Sequence, residues 1–121
     1  MDMSQYRELF LSEAREHLQA MNGLLLSLEE SPEDKEMINA LFRSAHSLKG
    51  MAASMGYDPI ALLAHRMEDL MSRLRKGEFP FGKVVESLLL EAADLLARLM
   101  DDVALDRPLA ADIEPVSARL S

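Results

Sequence analysis

Four long stretches of this sequence place apolar residues every three or four positions, and each is closed off by capping residues, proline or glycine. Little but a bundle of amphipathic helices satisfies that pattern. In the first stretch Leu11, Ala14, Leu18, Met21, Leu25 and Leu28 form one stripe on a helix that Asp2 or Ser4 can cap and that runs to about Glu30; Tyr6 and Phe10 widen the stripe near its start. Ser31-Pro32-Glu33-Asp34 reads as the next start, with serine as cap, proline in the first helical position and two acids at the positive end of the helix dipole. The second helix then buries Ile38, Leu41, Ala45, Leu48, Ala52 and Met55, and Gly56 stops it in left-handed backbone. Asp58-Pro59 repeats the cap and proline before a third helix that turns Ile60, Leu63, Met67, Leu70 and Leu74 inward. Arg73, Arg75 and Lys76 suit that helix's negative end, and Gly77 ends it. Beyond Phe79-Pro80-Phe81-Gly82, a fourth helix carries Val84, Val85, Leu88, Ala92, Leu95, Leu99 and Val103.

Short turns between four such helices predict an all-α fold, an antiparallel up-down four-helix bundle over residues 1–105. Asp106-Arg107-Pro108 breaks the chain, and residues 106–121 read as a short fifth helix or the start of a linker. Leu109, Ile113, Val116 and Leu120 keep helical spacing there, with Pro115 as an interruption. With 121 residues, the chain is long enough for one core. Tryptophan is absent and aromatics are only 5%, so Leu, Met, Ala, Val and Ile must build that core. The absence of cysteine excludes disulfides, thiolate chemistry and cysteine zinc sites. A net charge of −8 disfavours binding to nucleic acid or to anionic membranes. No apolar run is long enough to span a bilayer and the first residues do not read as a signal peptide, so a cytoplasmic protein without membrane insertion is expected.

Of the three histidines, His17, His46 and His65, only His46 has neighbours that suggest chemistry. At about 100° per residue it points away from the stripe of Ile38, Leu41 and Ala45, toward water. Lys49 and Gly50 follow it by three and four residues, on the same side of the helix. A mid-helix glycine costs about 1 kcal/mol relative to alanine. Here it either admits another molecule to the imidazole or lets two helices pack closely. On the third helix, His65 and Glu68 share a face bordering the buried stripe, which an antiparallel hairpin can bring beside His46. A carboxylate there would take the Nδ1 proton in a hydrogen bond, fix the tautomer and leave Nε2 as an outward nucleophile. A lysine nearby would offset the charge of a phosphoryl group on that nitrogen.

The run Phe42-Arg43-Ser44-Ala45-His46-Ser47-Leu48-Lys49-Gly50-Met51-Ala52-Ala53 resembles the phosphoacceptor signature of histidine phosphotransfer (HPt) domains. Met3-Ser4-Gln5-Tyr6, Glu13-Ala14-Arg15-Glu16-His17-Leu18 and Ala64-His65-Arg66-Met67-Glu68-Asp69-Leu70 extend the likeness over nearly the whole chain, toward the N-terminal domain of CheA-type chemotaxis kinases. The resemblance implies that His46 is phosphorylated at Nε2, that Glu68 orients the imidazole, that Lys49 and His65 support the transfer, and that Gly50 opens the site. It implies no cofactor on this domain itself. ATP would sit on a separate kinase domain, and Mg²⁺ on response regulators of the CheY or CheB type, whose aspartate receives the phosphoryl group. The chain is accordingly expected to be the N-terminal domain of a longer kinase or an excised piece of one. His17 is expected to be structural.

Three other readings compete. A metal site of His46, His65 and Glu68 is disfavoured, because di-iron bundles use repeated Glu-x-x-His pairs and this chain has a single His65-x-x-Glu68 in the reverse order. A helical adaptor would use its Leu and Met residues for partners, yet their spacing reads first as core. A stand-alone HPt protein of a multistep relay would share the chemistry and differ in its donor.

Overall fold

The computed structural model describes residues 2–121. Five helices follow one another, α1 (Met3–Glu30), α2 (Lys35–Met55), α3 (Asp58–Arg75), α4 (Lys83–Ala104) and the short α5 (Glu114–Leu120), and no strand occurs among the described residues. The four long helices pack as a closed ring in which α1 touches α2 and α4, and α3 touches α2 and α4. Connections this short between adjacent helices require the up-down-up-down course expected from the sequence. None of these helices is long and apolar enough to cross a membrane.

The ring closes because the predicted stripes face its axis. Met21, Leu25 and Leu28 of α1, Leu41 and Leu48 of α2, Ile60, Leu63, Met67 and Met71 of α3, and Leu89, Leu96 and Leu99 of α4 are completely buried. Burying a side chain of this kind contributes about 1.5–3 kcal/mol, so the stripes dominate the stability of the fold. On α4 the expected Ala92, Leu95, Leu99 and Val103 are buried, but the rest of the buried face differs from the expected one. Val84 is 82% exposed, while Leu89, Ala93, Leu96 and Met100 are buried. Apolar residues surround much of that helix, so the neighbouring helices rather than the periodicity choose its inner face.

The start of α1 agrees with expectation, and those of α2 and α3 differ from it. Asp2, not Ser4, caps α1; its carboxylate accepts from the Gln5 amide and the Gln5 side chain accepts from the Asp2 amide, a reciprocal capping box. Ser31 does not cap α2. Its carbonyl accepts from the Asp34 amide in a turn, and Asp34 then caps the helix through the Met37 amide at 3.1 Å. Asp58 is already the first residue of α3, and Tyr57 takes the cap position without a side-chain bond. Gly56, at φ 75°, makes the bend between α2 and α3, with the Tyr57 amide donating back to the Ala52 carbonyl at 2.9 Å. Only Gly56 and Tyr57 separate the two helices. Pro115 stands in the first turn of α5, where its missing N–H costs nothing, so it opens that helix instead of interrupting it. Val116 and Leu120 bury α5 against α3 and α4.

Candidate functional site

The short bend makes α2 and α3 a tight antiparallel pair, and the candidate residues lie midway along it. Ala45 and Leu48 are fully buried. His46, between them in sequence, is therefore carried outward, and 62% of its side chain is exposed. Across the groove, Glu68 sits at the edge of the α3 stripe and is only 7% exposed. Both of its oxygens are engaged. His46 Nδ1 bonds to Oε2, and Lys49 Nζ donates to Oε1 at 2.8 Å.

The electrostatics assign the proton. Burial alone pushes the Glu68 carboxyl upward, but the Lys49 ammonium and the His46 ring outweigh it and hold the group below its ordinary value. Glu68 is then an ionised acceptor, so His46 Nδ1 must be the donor. A neutral imidazole protonated at Nδ1 has its remaining lone pair on Nε2. The site thus presents an exposed imidazole, its tautomer set by an ionised Glu68, on a rigid helix.

Two further side chains frame the ring. Phe42, one turn earlier on α2 and half-buried, lies nearly parallel to the imidazole, with ring centroids 6.2 Å apart and 15° between planes. The Arg75 guanidinium, from the last turn of α3, stands over the Phe42 ring at 4.1 Å. On the other side Gly50 is exposed, and a Cβ built there would meet nothing within 4 Å. Close helix packing is therefore not what the glycine serves. His65 is exposed and faces Asp69, with Nε2 at 3.7 Å from the carboxylate; it makes no hydrogen bond to His46 or Lys49. The ligand atoms of His65, Glu68 and Asp69 lie within 4.8 Å of one another, but the Glu68 oxygens are already committed to His46 and Lys49. His17 is half-buried on α1.

Residues 5–103 match the model of the Hpt domain family. The chain belongs to that family. Among curated relatives of this Hpt domain, the chemotaxis protein CheA of Bacillus subtilis is 39% identical over 120 residues, 99% of this chain and 18% of the relative. CheA of Salmonella typhimurium is 37% identical over 101 residues, 84% of this chain and 15% of the relative. The Hpt domain thus spans under a fifth of the length of these proteins. Among solved structures, the CheA phosphotransferase domain from Thermotoga maritima superposes with a TM-score of 0.81 at 36% identity, covering 86% of this chain and 98% of that one. A solution structure of the histidine phosphotransfer domain of CheA gives a TM-score of 0.89 at 32% identity, covering 98% and 91%. The phosphorylated P1 domain of CheA3 in complex with CheY6 from R. sphaeroides shares the fold, with a TM-score of 0.85 at 24% identity and coverage of 96% and 92%.

The bonded set of His46, Lys49 and Glu68 contains residues that the sequence had singled out, whereas Phe42 and Arg75 had drawn attention only as a motif residue and a helix-dipole partner. The i, i+4 spacing of Phe42 and His46 was a usable signal for one of those contacts. Nothing in the sequence could have paired Arg75 with Phe42 across two helices.

Proposed function

We propose that this Hpt domain is the phosphoacceptor of a CheA-type chemotaxis kinase, with His46 as the residue that carries the phosphoryl group. One observation carries the reading. An exposed imidazole has Nδ1 tied to a buried carboxylate, and that carboxylate is itself held ionised by a lysine. The Nε2 lone pair attacks the γ-phosphorus of ATP held on the kinase domain. An N–P bond forms, the bond to the bridging oxygen breaks, and ADP leaves. The ring, now substituted at Nε2 and protonated at Nδ1, carries positive charge that Glu68 offsets. Lys49 supports the added phosphoryl charge, and His65, exposed beside Glu68, contributes to the same field. In the second step an aspartate of a CheY- or CheB-type regulator attacks the phosphorus, with Mg²⁺ supplied by the regulator. The N–P bond breaks and His46 returns to its neutral tautomer. Positioning and charge stabilisation supply most of the rate in phosphoryl transfer, which suits a rigid bundle whose partners bring the rest.

The complex of the CheA3 P1 domain with CheY6 supports a regulator of that kind as partner. We read residues 1–105 as the four-helix bundle and residues 106–121 as a short fifth helix or the start of a linker, in a cytoplasmic kinase that binds ATP elsewhere. Incubating the chain with ATP and a CheA kinase core tests the proposal. The label should map to His46, be acid-labile and base-stable as a phosphoramidate is, and vanish in His46→Gln with helicity unchanged. An acid-stable label, or one that survives the substitution, overturns it.

A further inference from the structure

We infer that Arg75, acting through Phe42, is a positioning residue for the His46 imidazole, an inference that rests on His46 being the phosphoacceptor. The last turn of α3 holds two arginines with different engagements. Arg73 donates to Glu78 at 3.3 Å and lies over Phe79 at 5.3 Å, tying the helix end to the following turn. Arg75 forms no ion pair among the described residues, and its guanidinium lies over Phe42 at the shorter distance of 4.1 Å. Helix-end electrostatics alone would leave that side chain in water. Although exposed, it holds its guanidinium carbon 4.1 Å from the centroid of an aromatic ring on the neighbouring helix, within cation–π range.

The consequence falls on His46. A single bond from Nδ1 to Glu68 anchors one edge of the imidazole but leaves the ring free to swing about that bond. Phe42, nearly parallel to it one turn away, limits the swing only if its own ring stays in place. Phe42 is half-buried, so packing holds one part of it and the Arg75 contact holds another. The chain of contacts runs from the end of α3 through Phe42 to the nucleophile, on the side of His46 away from open Gly50. Its effect is a narrower spread of Nε2 directions, and so more frequent in-line encounters with the γ-phosphorus.

A double-substitution cycle in the whole chain, phosphorylated by the CheA kinase core with ATP, tests this. Arg75→Gln should slow His46 labelling roughly three- to five-fold, the size expected of a cation–π contact near the surface. In a Phe42→Leu background the same change should have no further effect. In the unphosphorylated chain, the order parameters of the His46 ring C–H groups should fall in Arg75→Gln, while the imidazole ¹⁵N signals keep the tautomer that Glu68 sets. That readout would not respond to a merely structural role at the end of α3. Equal slowing with or without Phe42 would mean that Arg75 acts directly on the phosphoryl charge and would overturn the inference. Unchanged rates together with unchanged ring order parameters would overturn it as well. Failure of the wild-type chain to label at His46 would instead remove the phosphoacceptor reading, and the ring order parameters would still decide whether Arg75 positions the ring.

Discussion

Glu68 and Glu86 are both buried, at 7% and 8% exposure, yet the fold treats them in opposite ways. Glu68 meets a lysine and an imidazole, which together overcome the cost of burial and hold it ionised. Glu86, in the first turn of α4, has the Glu29 carboxyl of α1 beside it; that neighbour, with burial adding to it, pushes its pKa above the ordinary 4.5 despite Lys83 close by. One of its oxygens, Oε2, has no hydrogen-bond partner. Similar burial therefore gives an anion in one place and a proton-seeking acid in the other, and the sign of the neighbours decides which. The carboxylate beside His46 is built to stay charged. The one between α1 and α4 has no such provision, and it forms no part of the imidazole site.

The largest effect that can break this contrast is kinetic. Glu68→Gln keeps the shape but removes the charge, and the amide no longer enforces a protonated Nδ1. A charge-assisted hydrogen bond is worth about 1.5–3 kcal/mol, so initial phosphorylation rates should fall on the order of 10–100-fold while circular dichroism stays unchanged. A rate equal to wild type would show that the bridging carboxylate is structural only.

Lys49→Met sharpens the comparison with a smaller effect. Without the ammonium, the pull of burial on Glu68 is opposed by His46 alone. A ¹³C titration of the Glu68 carboxyl should then move upward, and labelling should slow by less than in Glu68→Gln. If the carboxyl titrates as before, His46 is the partner that matters.

The smallest effect lies in the dependence of stability on pH. Glu68 has a lowered folded pKa, so its contribution is present above the unfolded value near 4.5 and is lost as pH falls through the folded one. Glu86 has a raised folded pKa. In the window between 4.5 and that raised value the folded state holds a proton that the unfolded state releases, so Glu86 favours folding more as pH falls and less as pH rises. Glu86→Gln, which can donate to Glu29, should raise the Tm slightly at neutral pH, with the gain shrinking toward pH 4.5. Thermal melts across that range check the sign. A gain that grows on acidification would mean Glu86 is ionised when folded, as Glu68 is.

Much of this could be read from residues alone where one interaction decides the outcome. The stripes of α1, α2 and α3, the left-handed stops at Gly56 and Gly77, and an exposed His46 all follow from spacing and backbone sterics. The pairing of Glu68 with His46 was legible because two helices joined by a short bend must lie side by side. What escaped depends on competition between near-equal choices. Ser31 and Asp34 are both capable caps, and the turn geometry selected Asp34. Val84 and Leu89 are both apolar, and packing of the whole bundle selected Leu89. His65 had either Glu68 or Asp69 within reach on its own helix, and with the Glu68 oxygens occupied it faces Asp69. Burial of Glu86 could not be anticipated, since nothing local distinguishes it from the exposed Glu91 one and a half turns on.

The two-residue bend at Gly56 and Tyr57 also sets how the chain can vary through evolution. Measured back from that hinge to His46 and forward from it to Glu68, the two arms of the hairpin are nearly equal in residue number, so the partners meet. Losing or gaining one residue within either arm would rotate its partner by about 100° and shift it by about 1.5 Å, enough to part ring from carboxylate. Substitutions in these arms are therefore far better tolerated than changes of length, and insertions are better accommodated in the longer connection between α3 and α4, which lies outside the interval that registers the pair.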